Sequence, residues 1–236
     1  VSTTGRLIRV VSLVPSVTET LLAWEIVPVA CTRFCEQPSI RSIGGTKSPE
    51  VDDIVALAPD LVVVNDEENR REDAEALAAA GLAVHSCSPR SVAEVAPALV
   101  SLAAALGAEV AVEAADDPLP PLDLRAFIPI WRRPWMTLSA DTYGSSLLAS
   151  IGVRNAFGGS DERYPTIELA DVAAAGADVV LAPTEPYSFK PFHLEVFRPI
   201  APVVEVDGQD LFWWGVRTPA ARRRLHAALA VLASSG

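Results

Sequence analysis

Residues 9–22 read RVVSLVPSVTETLL and residues 53–64 read DIVALAPDLVVV. The first passes from strand to helix across a proline, and the second from helix to strand across another. Arg9–Val14 is a short β-branched run ended by Pro15, the pattern of a buried parallel strand. Ser16 is placed to cap a helix, with Glu19 three residues on and Leu21-Leu22 behind it. Ser48-Pro49-Glu50 predicts a second start, with a capping serine, proline at the first helical position and acids in the first turn. That helix carries Val51, Ile54, Val55 and Leu57 and stops at Pro59. Leu61–Val64, apolar throughout, predicts a central strand covered on both faces. Glu72–Ala80 reads as a helix closed by Gly81, and Leu82–Val84 as a strand. Alternation of this kind belongs to a parallel sheet wound with helices.

The second half follows the same plan. Phe127–Ile130 and Met136–Leu138 are strand-like, Tyr143–Ile151 and Glu168–Ala175 helical, Val179–Ala182 and Val203–Val206 strands, and Pro219–Ala233 a closing helix. Leu21-Leu22-Ala23 recurs as Leu147-Leu148-Ala149, about 126 residues on. Glu50, Asp53, Asp60 and Val62 recur as Glu168, Asp171, Asp178 and Val180, about 118 residues on. Such an internal repeat favours two related lobes over one continuous sheet. Between them, Val92, Val95, Leu99, Leu102 and Leu106 share a helical face, and Ala108–Ala115 is expected to add about two turns. Pro118, Pro120 and Pro121 then stiffen the chain. The expected fold is α/β, with two Rossmann-like lobes of parallel sheet, a helical connector and a ligand cleft between them. The expected domains are 1–90 (N-terminal lobe), 91–125 (helical and Pro-rich connector) and 126–236 (C-terminal lobe).

Half of the 236 residues are hydrophobic and mean hydropathy is +0.28, which marks a chain able to build cores. No apolar run approaches the roughly 20 residues of a membrane span. The longest, Val95–Leu106, contains Pro97 and Ser101. A net charge of −11 with scattered basic residues argues against a nucleic-acid partner. Arg222-Arg223-Arg224 is expected on a solvated face of the last helix. Cys31, Cys35 and Cys87 read as buried free thiols, since a C-x3-C pair without nearby histidine is a poor zinc signature. Val1–Arg9 lacks the pattern of an export signal, which tips the expected location toward the cytoplasm, or outside it if a signal precedes this sequence.

The blocks RVVSLVPSVTETLL (9–22), GGTKSPE (44–50) and DIVALAPDLVVV (53–64) together resemble the helical-backbone (class III) substrate-binding proteins for vitamin B12, haem and iron-siderophores. The likeness is closest to the cobalamin branch and covers residues 9–107, and more loosely 127–232. It implies two lobes joined by one long helix, ligand between the lobes, and an ABC importer as partner. It further implies that exposed glutamates, here Glu67 or Glu68 and Glu185, engage arginines of the permease. No cofactor is implied; a corrinoid or ferric chelate enters as ligand, and the chain is expected to be a monomer. The short stretch after Gly107 and its prolines depart from the family's long connecting helix.

Ligands of wound sheets sit beyond the carboxyl ends of strands, here Pro15-Ser16, Asn65 to Asn69, Trp131 to Trp135 and Glu185 to Phe189. Trp131, Trp135, Trp213 and Trp214, with Tyr164, Tyr187 and Phe189, fall in expected loops, where flat rings suit stacking on a planar ligand. The competing reading has these rings capping the lobe cores, which is the expectation for Trp24. Arg132, Arg133 and Arg163 can pair with ligand carboxylates or with surface acids. Asp66-Glu67-Glu68-Asn69 offers oxygen ligands to a hard cation, or is a solvated loop. His193 is a candidate axial ligand to cobalt or iron, or an exposed loop histidine. No Gly-x-Ser-x-Gly elbow, Walker loop or Gly-x-Gly-x-x-Gly fingerprint is present, so binding is favoured over a small α/β enzyme. An intracellular corrinoid or metal-chelate carrier or sensor is the other alternative.

Overall fold

The computed structural model describes residues 8–115 and 117–233. Two compact units emerge: residues 8–89, 94–114 and 214–216 form the first, and 90–93, 115–213 and 217–233 the second.

The first unit opens with β1 (Val10–Ser12), α1 (Pro15–Ala23) and β2 (Ala30–Cys31), followed by a 3-10 turn at Arg33–Cys35. A two-residue hairpin pairs β3 (Gly44–Gly45) with β4 (Ser48–Pro49). Then come α2 (Val51–Leu57), β5 (Leu61–Val64), α3 (Arg71–Ala79), β6 (Val84–Ser86) and α4 (Val92–Leu106), whose first residues cluster with the second unit. The sheet is parallel in the order β2-β1-β5-β6. Val11 pairs with both Ala30 and Val62, and Val62 with Val84. β5 is buried at every residue, as its uninterrupted apolar run predicts. Val11, Leu13, Ile43, Ile54, Val62 and Leu77 form one core.

The second unit contains β7 (Leu124–Phe127), β8 (Trp135–Met136), α5 (Tyr143–Ala149), β9 (Val153–Asn155), β10 (Thr166–Ile167), α6 (Leu169–Ala174), β11 (Val179–Pro183), α7 (Pro191–Leu194), β12 (Val203–Val206), α8 (Gly208–Phe212) and α9 (Thr218–Ala233). Its parallel sheet runs β9-β7-β11-β12 and repeats the first sheet strand for strand. The repeat extends to side chains. Arg9 and Asp60 exchange backbone and carboxylate hydrogen bonds, with the Arg9 guanidinium on the Leu57 carbonyl at 2.8 Å. Arg125 and Asp178 do the same, with Arg125 on the Ala175 carbonyl at 2.9 Å. In both units an arginine opening the first strand thus ties down the C-terminus of the helix that feeds the next strand, satisfying an orphan carbonyl.

Several local expectations are corrected. Ser16 is not the helix cap: α1 begins at Pro15, and the Ser16 hydroxyl is buried without a hydrogen-bond partner. Pro49 does not open α2, because Ser48 and Pro49 pair with β3 and Glu50 is the N-cap. Ala108–Ala115 is not helical; α4 ends at Leu106, followed by Gly107 at φ +61. Of the arginine triplet, Arg223 and Arg224 are exposed as expected and Arg222 alone is buried. Arg222, 5 % exposed, binds Ser150 and the Asp117 carbonyl; Arg223 pairs with the Asp117 carboxylate, and Arg224 with buried Asp210. Among the described residues no helix is long and apolar enough to cross a membrane.

Candidate ligand-binding rims

Because each sheet is parallel, the loops after its strands gather on one edge. In the first unit these loops are occupied by their own hydrogen bonds. Asn65 is 4 % exposed; its Nδ2 donates to the Cys87 carbonyl at 3.0 Å and its Oδ1 accepts from the Glu67 amide at 2.8 Å. Asn69 accepts from the Asn65 amide and donates to the Leu13 and Thr46 carbonyls, stitching the ends of β1 and β5 to the β3–β4 hairpin. Asn65, read from sequence as facing a ligand, is thereby a loop organiser. Glu67 and Glu68 are half-buried, and the Glu67 carbonyl accepts from Lys47 at 2.5 Å. The acidic loop is a hydrogen-bonded turn, and no group of three or more metal-binding side chains exists among the described residues. Pro15 and Ser16 are buried at the head of α1.

The second unit carries a different edge. Trp131 meets Tyr187 edge-on at 5.1 Å, and Tyr187 lies 4.8 Å from Phe189. Phe189 stacks on Trp135 at 5.9 Å, and Trp135 in turn meets core Phe197 edge-on at 4.8 Å. A ladder of rings thus runs from the core outward to Trp131, which is 45 % exposed. The Arg132 guanidinium lies 5.8 Å from the Trp135 ring, and Arg133 is exposed. Between the two tryptophans Arg133 adopts a left-handed backbone, φ 73.

The remaining candidates separate. Arg163 pairs with Asp141 at 3.2 Å, which is the surface-acid alternative. Tyr164 is 38 % exposed. Trp213 donates its Nε1–H to the Glu185 carboxylate at 2.7 Å beneath the Arg217 guanidinium. Trp214 is 3 % exposed and clusters with the first unit, so its ring fills a core. Trp24, 7 % exposed, is core as expected. His193 is 9 % exposed, and its Nδ1 accepts the Lys190 amide at 3.1 Å. A metal-ligating imidazole normally donates its other N–H; here the other nitrogen accepts, so Nε2 carries the proton and is a poor axial ligand. Burial, then the cations Arg132, Arg133 and Lys190, lowers the His193 pKa and keeps the ring neutral. Lys190 and the 68 % exposed Phe192 were not singled out by sequence, because a short irregular loop carries no periodicity to place them.

No family model and no curated protein sequence matches the chain. Solved structures do. The periplasmic haem-binding protein RhuT from Roseiflexus sp. RS-1 superposes with a TM-score of 0.76 at 20 % identity, over 97 % of this chain and 100 % of that one. A periplasmic haem-binding protein from Pseudomonas aeruginosa gives 0.75 at 21 % identity, over 94 % and 92 %. The periplasmic vitamin B12-binding protein BtuF of Vibrio cholerae gives 0.72 at 17 % identity, over 95 % and 97 %. The chain shares its fold with these proteins. The α/β fold implied by the sequence resemblance is the observed one. The expected cytoplasmic location is overturned by the same finding, since these proteins are named as periplasmic. Residues 1–7, most of the stretch on which that expectation rested, lie outside the described residues.

Proposed function

We propose that this chain is a non-catalytic substrate-binding protein of the ABC-importer type, working outside the cytoplasm and binding a metal chelate of the corrinoid, haem or ferric-siderophore class. The observation that carries this reading is the ring ladder Trp131–Tyr187–Phe189–Trp135 with Arg132 and Arg133 beside it. It sits on a fold whose named relatives bind vitamin B12 or haem. Flat rings supply stacking area at low entropic cost, and guanidinium groups suit carboxylates on a ligand's edge. Trp131 and Tyr187 are the first contacts in this proposal, and Arg132 and Arg133 the anion partners. Residues 91–125 serve as connector. Glu67 and Glu68 on the first unit and Glu185 on the second are the proposed contacts for permease arginines, Glu185 being held in place by Trp213.

The test is a visible-absorption and calorimetric titration with cyanocobalamin, hemin and a ferric siderophore. Saturable binding of one of them, weakened in Trp131→Ala, is the expected result. Absence of saturable binding to all three overturns the reading.

A further inference from the structure

Cys31 and Cys35 stand at the end of β2, where the sheet gives way to a loop whose base is Cys31. The Cys31 amide donates to the Arg41 carbonyl and its carbonyl accepts from the Ile43 amide, both at 3.0 Å. Cys35 closes the 3-10 turn that follows, its amide on the Thr32 carbonyl at 3.0 Å. Three hydrogen-bonding groups converge on Cys35 Sγ. Thr18 Oγ1 of α1 lies 3.1 Å away, sharing its proton with the Val14 carbonyl at 3.2 Å. Thr32 Oγ1 lies at 3.3 Å, and the Cys31 thiol is the third. Both sulfurs are buried. The residues flanking Cys35, however, are exposed, with Phe34 at 49 %. Opening one short turn therefore bares the sulfur without unfolding the sheet. Cys87 is set apart, its thiol turned to the Ala98 carbonyl at 3.7 Å.

We propose that Cys31 and Cys35 form a reversible dithiol–disulfide site, with Cys35 as the attacking and leaving sulfur and Cys31 as the resolving thiol. The Cys35 thiolate attacks one sulfur of an oxidant disulfide, a protein disulfide or oxidised glutathione, and releases one thiol. Cys31 then gives up its proton and attacks Cys35 Sγ; the Cys31–Cys35 bond forms and the second oxidant thiol leaves. Two electrons and two protons pass to the oxidant, which ends as two thiols. The contact with Cys31, helped by the hydrogen bonds of Thr18 and Thr32, lowers the Cys35 pKa against the opposing effect of burial, while that same contact and burial push Cys31 up. A sulfur so stabilised as thiolate is also a good leaving group, which makes the disulfide easily reduced and the site a switch rather than a permanent staple. An oxidising location outside the cytoplasm supplies the oxidant; the chemistry itself is independent of which ligand the protein carries.

The test equilibrates the full chain in glutathione buffers from fully reduced to fully oxidised, quenches in acid, alkylates under denaturing conditions and maps the peptides by mass spectrometry. The expected product is a peptide spanning Cys31 and Cys35 that has lost two hydrogens, with Cys87 alkylated throughout. Thr18→Val, which removes one contact to the thiolate, is expected to shift the midpoint toward the disulfide by about 3-fold to 10-fold. Cys35→Ser is expected to abolish the two-hydrogen loss, and should that variant fail to fold, the wild-type and Thr18→Val midpoints decide. Two alkylated thiols in fully oxidised buffer, a bridge to Cys87, or an unshifted Thr18→Val midpoint overturns the proposal. Ligand titration is a separate measurement, so failure here leaves the binding reading standing.

Discussion

The two sheets share a strand order and even an arginine–aspartate tie at the start of the first strand, yet the edges where their loops gather have diverged. On the first unit the side chains of Asn65 and Asn69, after β5, are buried and bond to the backbone of neighbouring loops, including the end of β1. On the second unit the side chains after β7 and β11 are large rings and guanidinium groups that contact one another. The repeated scaffold thus holds one edge laced together by Asn65 and Asn69 and one that keeps apolar and cationic surface exposed. Disruption of the first edge should register as lost stability, and disruption of the second as lost binding.

The largest expected effect tests the first half of that statement. Asn69→Ala removes the acceptor of the Asn65 amide and the donor to the Leu13 and Thr46 carbonyls, all in a buried loop. Leaving such groups unpaired costs about 3 kcal/mol, read as a lowered midpoint in urea at unchanged slope. A loss under about 1 kcal/mol would mean water replaces the side chain and the edge is not internally closed. Next in size is Gly208→Ala on the second edge. A Cβ there would stand 2.6 Å from the Glu185 nitrogen and 2.9 Å from its oxygen, so the loop after β11 must move. Overpacking of this kind costs about 2 kcal/mol, and it should also weaken ligand binding because Glu185 leads directly into Tyr187 and Phe189. Unchanged binding would separate the Glu185 loop from the ring ladder.

The frame of this divergence was legible in the sequence, and its detail was not. Short apolar runs such as Leu61–Val64 and Val179–Ala182, set between helical stretches, read as central strands, and both are buried throughout. The repeat signal at Asp60 and Asp178 marked residues with equivalent partners. What failed were choices between near-equal local options. Ser16 and Ser48 each looked like a cap, but a proline beside each serine is compatible with more than one backbone path, and hairpin pairing decided the second case. Asn65 and Trp214 were placed at the ligand by position after a strand or in a loop. In the structure both are buried, and burial is a tertiary property that spacing along the chain does not encode. Short strands such as β9 and β10, and short helices such as α7 and α8, left no period to count.

A smaller effect probes the second edge directly. Trp131 is nearly half exposed and touches Tyr187 alone among the ring pairs of the ladder, so Trp131→Ala should change stability by under about 1 kcal/mol. Chelate affinity should fall about tenfold, the equivalent of about 1.4 kcal/mol. The opposite pattern, lost stability with affinity intact, would make this ring part of the core rather than of the binding edge.

The smallest expected effect compares the two units through half-buried His85 and buried His193. Burial lowers the pKa of His85 in the first unit, and burial with Arg132, Arg133 and Lys190 lowers that of His193 in the second. The unfolded chain takes up protons near 6.5, the ordinary histidine value, while the folded chain resists them until a lower pH. Between those values the unfolded state binds more protons, so stability declines as pH falls below 6.5 and the decline ends below the folded pKa values. His193→Asn keeps an acceptor for the Lys190 amide but removes the titration, and it should flatten part of the slope between about pH 7 and pH 5. An anionic ligand seated beside Arg132 and Arg133 offsets the cations that keep His193 neutral, so it should flatten the same part. A neutral ligand should leave it unchanged. Urea midpoints measured across that range, with and without hemin, therefore report whether the cations of the second edge face the ligand's charge.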